Sequence, residues 1–358
     1  MSTMESIVLF PFAEYWWVYG VFTALVLGIL ALDLGVFHKQ AHEVSFKEAA
    51  AWSVVWVALG LTVGAVLWWY AGQALAEPAK AGLLASLGET PETAARRIGM
   101  EYLAGYVVEK ALAVDNVFVW AMIFSYFAVP AKYQHRILFY GILGAIIFRA
   151  LFIAAGAILL QYQWIVWLAG GFLIVTGIKM ALLGDHKLEP ERNPVVRLVR
   201  KLFPITPNLE GQRFFLRRNG VLMATPLFLV LILVEVTDII FSIDSVPAIF
   251  AITDEPLIVF TSNICAILGL RAMYFLLSSV MDKFHLLKYG LSLILVFVGV
   301  KMLGEVVPGF NQLLDAQGKF PIGWSLGIIC GILAVSVVLS LLVPKRASPP
   351  PPPPPPET

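Results

Sequence analysis

Long apolar runs dominate the pattern of hydrophobic and polar positions along the chain, and charged residues gather between them. A membrane-crossing helix needs about 20 mainly apolar residues. Nine stretches of the sequence meet this requirement, namely residues 15–37, 49–71, 101–127, 137–160, 164–183, 221–250, 257–281, 286–307 and 322–343. Trp16, Trp69 and Trp164 lie near the ends of such runs, where an indole buries its ring and keeps its N–H in water. The pattern predicts an all-α polytopic membrane protein with about nine transmembrane helices.

Composition strengthens this prediction and excludes several classes of protein. Of the 358 residues, 59% are hydrophobic and only 14% are charged, which is more apolar surface than a soluble enzyme could bury. The formal net charge of +1 gives no basic excess for nucleic acid, so the expected surroundings are a lipid bilayer. Cys265 and Cys330 lie in apolar runs without a nearby Cys or His, so we expect neither a disulfide framework nor a thiolate metal site.

The distribution of lysine and arginine predicts the orientation. The connection between the fifth and sixth spans holds eight of them, whereas the connection between the sixth and seventh holds none. Cytoplasmic loops carry the excess of basic residues, so the first connection is predicted to be cytoplasmic. With nine spans, the N-terminus then lies outside and the C-terminus in the cytoplasm. The eight basic residues are Lys187, Arg192, Arg197, Arg200, Lys201, Arg213, Arg217 and Arg218.

Two halves of the chain carry the same series of motifs. Glu109-Lys-Ala-Leu-Ala-Val-Asp115-Asn116 matches Asp238-Ile-Ile-Phe-Ser-Ile-Asp244-Ser245, with two acids six residues apart and a small polar residue after the second. Downstream, Arg149 and Lys179 match Arg271 and Lys301, with 30 residues between Arg and Lys in each half. Spans three to five therefore repeat as spans six to eight, and because their predicted orientations are opposite, this is a 3+3 inverted repeat. Many secondary transporters are built in this way, with the site near the membrane midplane.

The repeat divides the chain into segments. Two peripheral transmembrane helices and an outer loop form residues 1–100, and the first three-helix repeat occupies residues 101–184. A basic cytoplasmic linker, residues 185–220, leads to the second three-helix repeat at residues 221–308. The C-terminal transmembrane helix falls within residues 309–346, and residues 347–358 form a tail with eight consecutive prolines, which favours an extended polyproline II rod.

Five carboxylates lie within the predicted spans: Glu109, Asp115, Glu235, Asp238 and Asp244. At about 2.5–3.5 kcal/mol each near a helix centre, five uncompensated acids would cost on the order of 15 kcal/mol. They must therefore be protonated, paired with a cation, or bound to a metal ion. Asn116 and Ser245 add further oxygen ligands, and a set made only of hard oxygens suits Mn²⁺, Ca²⁺ or Mg²⁺.

Two structural expectations accompany this metal-site hypothesis. Residues six apart point about 120° apart on a straight helix, so one unbroken helix would not aim both acids at one ion. We therefore expect spans three and six to be broken near their motifs, with Pro247 assisting. The competing interpretation is a salt-bridged core, in which the cations neutralise the acids. Those cations are Lys110, Arg149, Lys179, Arg271 and Lys301.

Three segments carry a resemblance to a known family. Glu109 to Trp120, Glu235 to Phe250 and Leu268 to Phe275 resemble the TerC family of bacterial integral membrane proteins, and most closely its Alx branch. The likeness covers roughly residues 15–343. It implies a Mn²⁺ exporter of the bacterial inner membrane, induced by alkaline pH in Alx-type members, with relatives linked to tellurite resistance. The resemblance also implies that the five acids bind the transported ion, and the preference for Mn²⁺ over Ca²⁺ comes from the family alone.

The resulting hypothesis is Mn²⁺ efflux by alternating access, without a tightly bound cofactor and without catalysis. The sequence has no G-x-x-x-x-G-K-[ST] motif, so ATP is not the expected energy source. Proton antiport is an attractive coupling, because crowded carboxylates must release protons when metal binds. Two alternatives stay open. One is a partner of the secretion machinery that delivers metal to exported enzymes, and the other is an intramembrane aspartyl protease using Asp115 and Asp244.

Overall fold

The computed structural model describes residues 8–32, 44–182, 194–218, 220–278, 286–304 and 320–343. Within these ranges the chain forms twelve α-helices and one β-hairpin. The helices are α1 Phe12–Leu32, α2 Phe46–Leu75, α3 Ala81–Ser86, α4 Pro91–Tyr126, α5 Ala131–Leu159, α6 Gln163–Leu182, α7 Pro194–Leu202, α8 Pro226–Phe250, α9 Pro256–Leu268, α10 Leu270–Ser278, α11 Leu287–Gly304 and α12 Ile322–Leu342. The prediction of an all-α polytopic membrane protein is confirmed.

Seven of the described helices are long and apolar enough to cross a membrane, and α9 with α10, bent by 43°, is an eighth candidate. The predicted third span corresponds to α4, whose 36 residues include Glu101, Glu109, Lys110 and Asp115. These charges exclude α4 from the seven helices above, although most of its side chains from Glu101 to Phe124 are buried among other helices. The exact count of nine spans stays a prediction.

The expected breaks in spans three and six are absent from the structure. Helix α4 runs without interruption through Glu109 and Asp115, and α8 runs through Asp238 and Asp244. Pro247 lies in the last turn of α8, where its missing N–H removes a single helical hydrogen bond near the end of the helix. Within the two predicted repeats, a bend of 43° falls instead at Gly269, between α9 and α10.

The predicted linker contains regular structure that the sequence reading did not anticipate. After α7, strands β1 (Phe215–Arg218) and β2 (Val221–Ala224) pair as an antiparallel hairpin. Helix α8 therefore begins at Pro226, after the hairpin, and not at residue 221 as expected. The first part of the linker, residues 185–193, and the proline tail lie outside the described residues.

The contacts among the central helices are symmetric between the two predicted repeats. Swapping the halves turns a contact between α4 and α9 into one between α8 and α5, and both contacts are present. Helices α6 and α11 also pack together, and a Cβ at Gly177 would lie 2.7 Å from the carbonyl oxygen of Ser292. In the matching contact, a Cβ at Gly299 would lie 2.8 Å from the carbonyl oxygen of Gly170. These reciprocal contacts support the inverted repeat, which stays a prediction.

Candidate metal site

A single buried guanidinium joins the two halves of the molecule. Helix α5 carries Arg149, only 1% exposed, to the place where α4 and α8 cross. Its Nη1 donates to the carboxylate of Glu109 and to Ser245 Oγ at 3.1 Å, while its Nη2 donates to Asp238 Oδ1 at 3.3 Å. Since both carboxylates are almost completely buried, the charge of Arg149 offsets part of the cost of removing them from water.

Two asparagines complete this polar cluster. Asn116 Nδ2 on α4 donates to Asp238 Oδ1 on α8 at 3.1 Å. Asn263 on α9 accepts from Arg149 Nη1 at 3.2 Å and donates to Glu109 Oε2 at 3.3 Å. Sequence reasoning missed Asn263, although an asparagine in the apolar run of the seventh predicted span is a signal that could have identified it. The cluster thus draws side chains from four helices.

The second acid of each motif has a different environment. Asp115 and Asp244 are half-buried and line one small cavity of about 20 Å³, which has room for about one water molecule. Their polar neighbours Asn116 and Ser245 line the same cavity. The remaining lining residues are Glu109, Leu112, Arg149, Met180, Phe241 and Leu295. Oxygen ligands from both halves therefore meet at a small space with partly apolar walls.

Some buried polar atoms of this region have no hydrogen-bond partner among the described residues. They are Asp238 Oδ2, Glu235 Oε2 and Arg149 Nε. Buried polar atoms are normally paired, so each one marks a place where water, a proton or an ion would be stabilising. Asp238 Oδ2 in particular leaves a carboxylate oxygen available beside the guanidinium.

Glu235 lies apart from the other predicted ligands. It packs against Gly144 on α5, so closely that a Cβ at Gly144 would overlap its carboxylate. It is absent from the lining of the cavity, one turn before Asp238 along α8. Five of the seven predicted metal-site residues line the cavity: Glu109, Asp115, Asn116, Asp244 and Ser245. Asp238 is joined to them by hydrogen bonds from Asn116 and Arg149, whereas Glu235 is left out.

The cations that the salt-bridged-core interpretation assigned to the acids also have different environments. Arg149 forms ion pairs with two acids, whereas Lys110 donates to the carbonyl oxygen of Ala266 at 3.0 Å. Arg271 and Lys301 are buried, and Lys179 is exposed. The site is thus a mixture, with two acids paired to a guanidinium and two facing a cavity. Across the described ranges, no three Asp, Glu, His or Cys side chains are close enough to hold a metal ion in this conformation.

A separate acidic cluster lies between the end of α8 and the start of α9. Glu255, 2% exposed, accepts from the backbone N–H of Leu9 at 2.6 Å and of Phe10 at 3.2 Å. Burial raises the pKa of Glu255 to about 7, although the two hydrogen bonds and Arg97 lower it. Nearby, Glu101 accepts from Thr253 Oγ1 at 2.5 Å and from Arg97 Nη1 at 2.9 Å. Sequence reasoning assigned no role to this cluster.

Comparison with known proteins gives consistent matches. The profile described as the integral membrane protein TerC family matches residues 94–348. A protein of Photorhabdus laumondii named Alx, described as a proposed membrane-bound redox modulator, is 48% identical over 91% of this chain and 95% of its own. The Escherichia coli K12 protein of that name is 46% identical over 92% and 95%. An uncharacterized membrane protein of Myxococcus xanthus is 46% identical over 91% and 92%. No solved structure matches.

Proposed function

The chain belongs to the TerC family of integral membrane proteins, and from this premise we propose that it is a secondary transporter that exports Mn²⁺ from the cytoplasm. The observation that carries the proposal is the meeting of Asp115 and Asp244, one from each half, at a single cavity. Intramembrane acids that face a cavity instead of lipid mark ion pathways. We further propose the bacterial inner membrane as its location, with the N-terminus outside and the C-terminus in the cytoplasm.

The proposed ligands are oxygen atoms of two kinds. Asp115, Asn116, Asp244 and Ser245 line the cavity and are positioned for first contact with an entering ion. Mn²⁺ prefers carboxylate, carbonyl and water ligands, which this set provides. Because no three acids converge in the described part of the chain, the ion would keep water ligands or recruit further carboxylates as it binds.

Arg149 holds the carboxylates that the ion would recruit. It pairs with Glu109 and Asp238, and Glu109 also lines the cavity. A divalent ion in the cavity would compete with the guanidinium for these carboxylates, because both carry positive charge. In the proposed cycle, Arg149 balances the acids when the site is empty and gives them up when Mn²⁺ is bound. The two halves, joined through Arg149, would then move relative to each other.

Proton antiport is the proposed coupling. Buried acids that lose their protons when a metal ion arrives link the movement of the two species. Ca²⁺ is the alternative substrate that the same ligand chemistry allows. The redox description of the Alx relatives has no matching dithiol in the described ranges, where Cys265 is buried in α9, Cys330 is exposed on α12 and both are free.

The test is Mn²⁺ flux into proteoliposomes that contain the purified chain alone. We expect Asp115→Asn and Asp244→Asn each to lower flux by at least about tenfold, since even residues behind a metal ligand have effects of that size. Glu210→Gln, an exposed acid outside the cavity, is the matched control and should leave flux unchanged. Added Ca²⁺ measures selectivity.

Three outcomes would contradict parts of the proposal. Equal flux in the native and Asn variants would remove the site assignment. Flux without opposite proton movement, followed with a pH-sensitive dye in the lumen, would remove antiport while leaving export intact. Absence of flux from the native chain alone, with flux restored by secretion components, would favour the metal-delivery alternative.

A further inference from the structure

The segment between α6 and α8 has a surface of unusual composition. On α7, Val196 and Val199 are buried, whereas Leu198 and Leu202 are exposed at 55% and 64%. At about 100° per residue, these two leucines form one exposed stripe. Beside it lies an exposed basic stripe made of Arg197, Arg200 and Lys201. Helix α7 therefore presents both apolar and cationic side chains on its outer surface.

The hairpin repeats this combination. Its register places Arg217 opposite Leu222 and Arg218 opposite Val221. All four residues are exposed, with Leu222 at 50% and Val221 at 51%. Directly paired residues lie on the same face of a hairpin and successive pairs alternate between its two faces, so each face presents an exposed arginine beside an exposed aliphatic side chain. Scattered exposed leucines are ordinary, but the same pairing on two adjacent elements is not explained by chance exposure.

These elements are fixed at the beginning of a candidate membrane span. Thr225, immediately before α8, donates through Oγ1 to the carbonyl oxygen of Arg213 at 2.7 Å. The N–H of Ala224 donates to the carbonyl oxygen of Pro204 at 2.9 Å, which joins the hairpin to the chain after α7. Phe215 and Phe228 also pack together, with ring centroids 4.3 Å apart and ring planes tilted by 48°. The surface therefore lies at the N-terminal end of α8, a helix long and apolar enough to cross a membrane.

Charge on the surface has one predominant sign. The described residues of α7, the hairpin and the connection between them include six basic residues and a single acidic one, Glu210. All six are exposed: Arg197, Arg200, Lys201, Arg213, Arg217 and Arg218. Such a surface attracts anions. The phosphate groups of lipid headgroups match the planar set of N–H donors on arginine.

We propose that α7 and the β-hairpin form a binding surface for the headgroups of anionic phospholipids in the adjacent leaflet. Arginine and lysine contact phosphate, while the exposed leucines and valines enter the boundary of the acyl chains, as in amphipathic elements that lie in the membrane interface. A soluble polyanion would use the cations but would gain nothing from the aliphatic side chains. Bound lipid would steady the hairpin and, through Thr225, the start of α8, which carries Asp238 and Asp244.

The test measures lipid binding directly and does not depend on transport. The full chain, purified in a neutral detergent, is titrated with phosphatidylglycerol or phosphatidylcholine, and retained lipid is counted by native mass spectrometry. We expect phosphatidylglycerol to be retained preferentially and the preference to weaken as salt rises. Each removed charge should lower the affinity about fivefold, from the typical attraction of one Lys or Arg to an anionic surface.

Three sets of variants separate the contributions. Arg217→Gln with Arg218→Gln removes two charges from the surface, and Lys47→Gln with Arg96→Gln removes two exposed charges elsewhere as the matched control. Leu198→Gln with Leu202→Gln keeps the charge and should also weaken phosphatidylglycerol binding. Circular dichroism confirms that each variant is folded.

Equal retention of the two lipids, or a loss in the control equal to that in the Arg217 and Arg218 variant, would overturn the proposal. So would displacement of phosphatidylglycerol by heparin together with unchanged binding in the leucine variant, since that result would identify a soluble polyanion as the partner. A chain that binds phosphatidylglycerol but transports no Mn²⁺ would refute the proposed function alone.

Discussion

The two acids of each motif are separated by only six residues, yet they occupy different environments. Glu109 and Asp238, the first acids, are fully buried and share Arg149. Asp115 and Asp244, the second acids, are half-buried and line the cavity. In both halves the first acid pairs with Arg149 and the second lines the cavity, which Glu109 also reaches. On both α4 and α8 the fully buried acid has a guanidinium as its counter-charge, whereas the half-buried acid faces a space that water or an ion can enter.

The difference also assigns separate roles to the two environments. One guanidinium offsets at most one of two carboxylate charges, so the paired region stays formally negative when both acids are ionised. The cavity beside it then provides a place for additional positive charge. Under the proposed function, such an arrangement would be stable when empty and would still attract a cation, which a fully neutralised salt-bridged core would not do.

Removing the shared cation should have the largest effect. Arg149→Met leaves Glu109 and Asp238 buried without their counter-charge, and breaking a buried pair in this way costs about 3–5 kcal/mol. We expect the free energy of unfolding in detergent, measured by denaturant titration at neutral pH, to fall by this amount. Adding Glu109→Gln and Asp238→Asn to Arg149→Met should recover part of the loss, because the stranded charges are gone. No recovery would mean that the pairing contributes little to stability.

A carboxylate held by neutral donors provides a contrast to the guanidinium pair. Glu255 accepts from two backbone N–H groups, and burial raises its pKa from 4.5 to about 7. The folded chain therefore keeps a proton on Glu255 between these values, whereas the unfolded chain releases it. Stability from this group is present at low pH and is lost as pH rises to about 7, by up to roughly 3 kcal/mol.

Glu255→Gln removes this titration and tests its sign. Unfolding curves of the native chain and the variant, recorded between pH 5 and pH 8 in one detergent, should show a smaller decline with pH in the variant. Leu9 and Phe10 donate to different oxygens of Glu255, and the NH₂ that replaces one of them in glutamine cannot accept, so the variant should also be less stable at pH 5. An unchanged difference between pH 5 and pH 8 would show that Glu255 does not titrate in this range.

The sequence predicted the parts of the structure that depend on local periodicity and on burial cost. Long apolar runs located the helices, and the cost of intramembrane charge identified Asp115 and Asp244. It did not predict that α4 and α8 are continuous, because the expectation assumed that one helix must supply both ligands to one ion. In the structure the first acid of each helix pairs with Arg149 and the second lines the cavity, so no break is needed. The hairpin was missed because its strands are short and adjoin an apolar helix.

Packing partners could not be predicted from the sequence either. Nothing in the motifs indicates that Arg149 reaches both halves, or that Glu235 is diverted to Gly144, since these contacts are set by how α5 lies against α8. The same holds for Glu255, whose partners are separated from it by about 245 residues. Long-range contacts of this kind depend on the assembled bundle.

Gly144→Ala tests the packing of Glu235, the predicted ligand outside both the Arg149 ion pairs and the cavity lining. The added Cβ would overlap the carboxylate of Glu235, so α5 or the side chain must shift, and overpacking of a core typically costs about 1–3 kcal/mol. Gly171→Ala is the matched control, because a Cβ there has no neighbour within 4 Å and alanine favours a helix. We expect lower stability for Gly144→Ala and unchanged or slightly higher stability for Gly171→Ala. Equal stabilities would show that Glu235 relocates freely.

The smallest effect on stability should come from a substitution of an acid that lines the cavity. Asp238→Asn and Asp244→Asn are the same substitution six residues apart on α8. Asp238→Asn removes the negative charge that Arg149 contacts and should cost about 1.5–3 kcal/mol, the contribution of a hydrogen bond to a charged group. Asp244→Asn should change the free energy of unfolding by less than about 1 kcal/mol, since this half-buried side chain faces the cavity. Equal losses in the two variants would mean that Asp244 has a structural partner as important as Arg149, and the division between paired and accessible acids would then not hold.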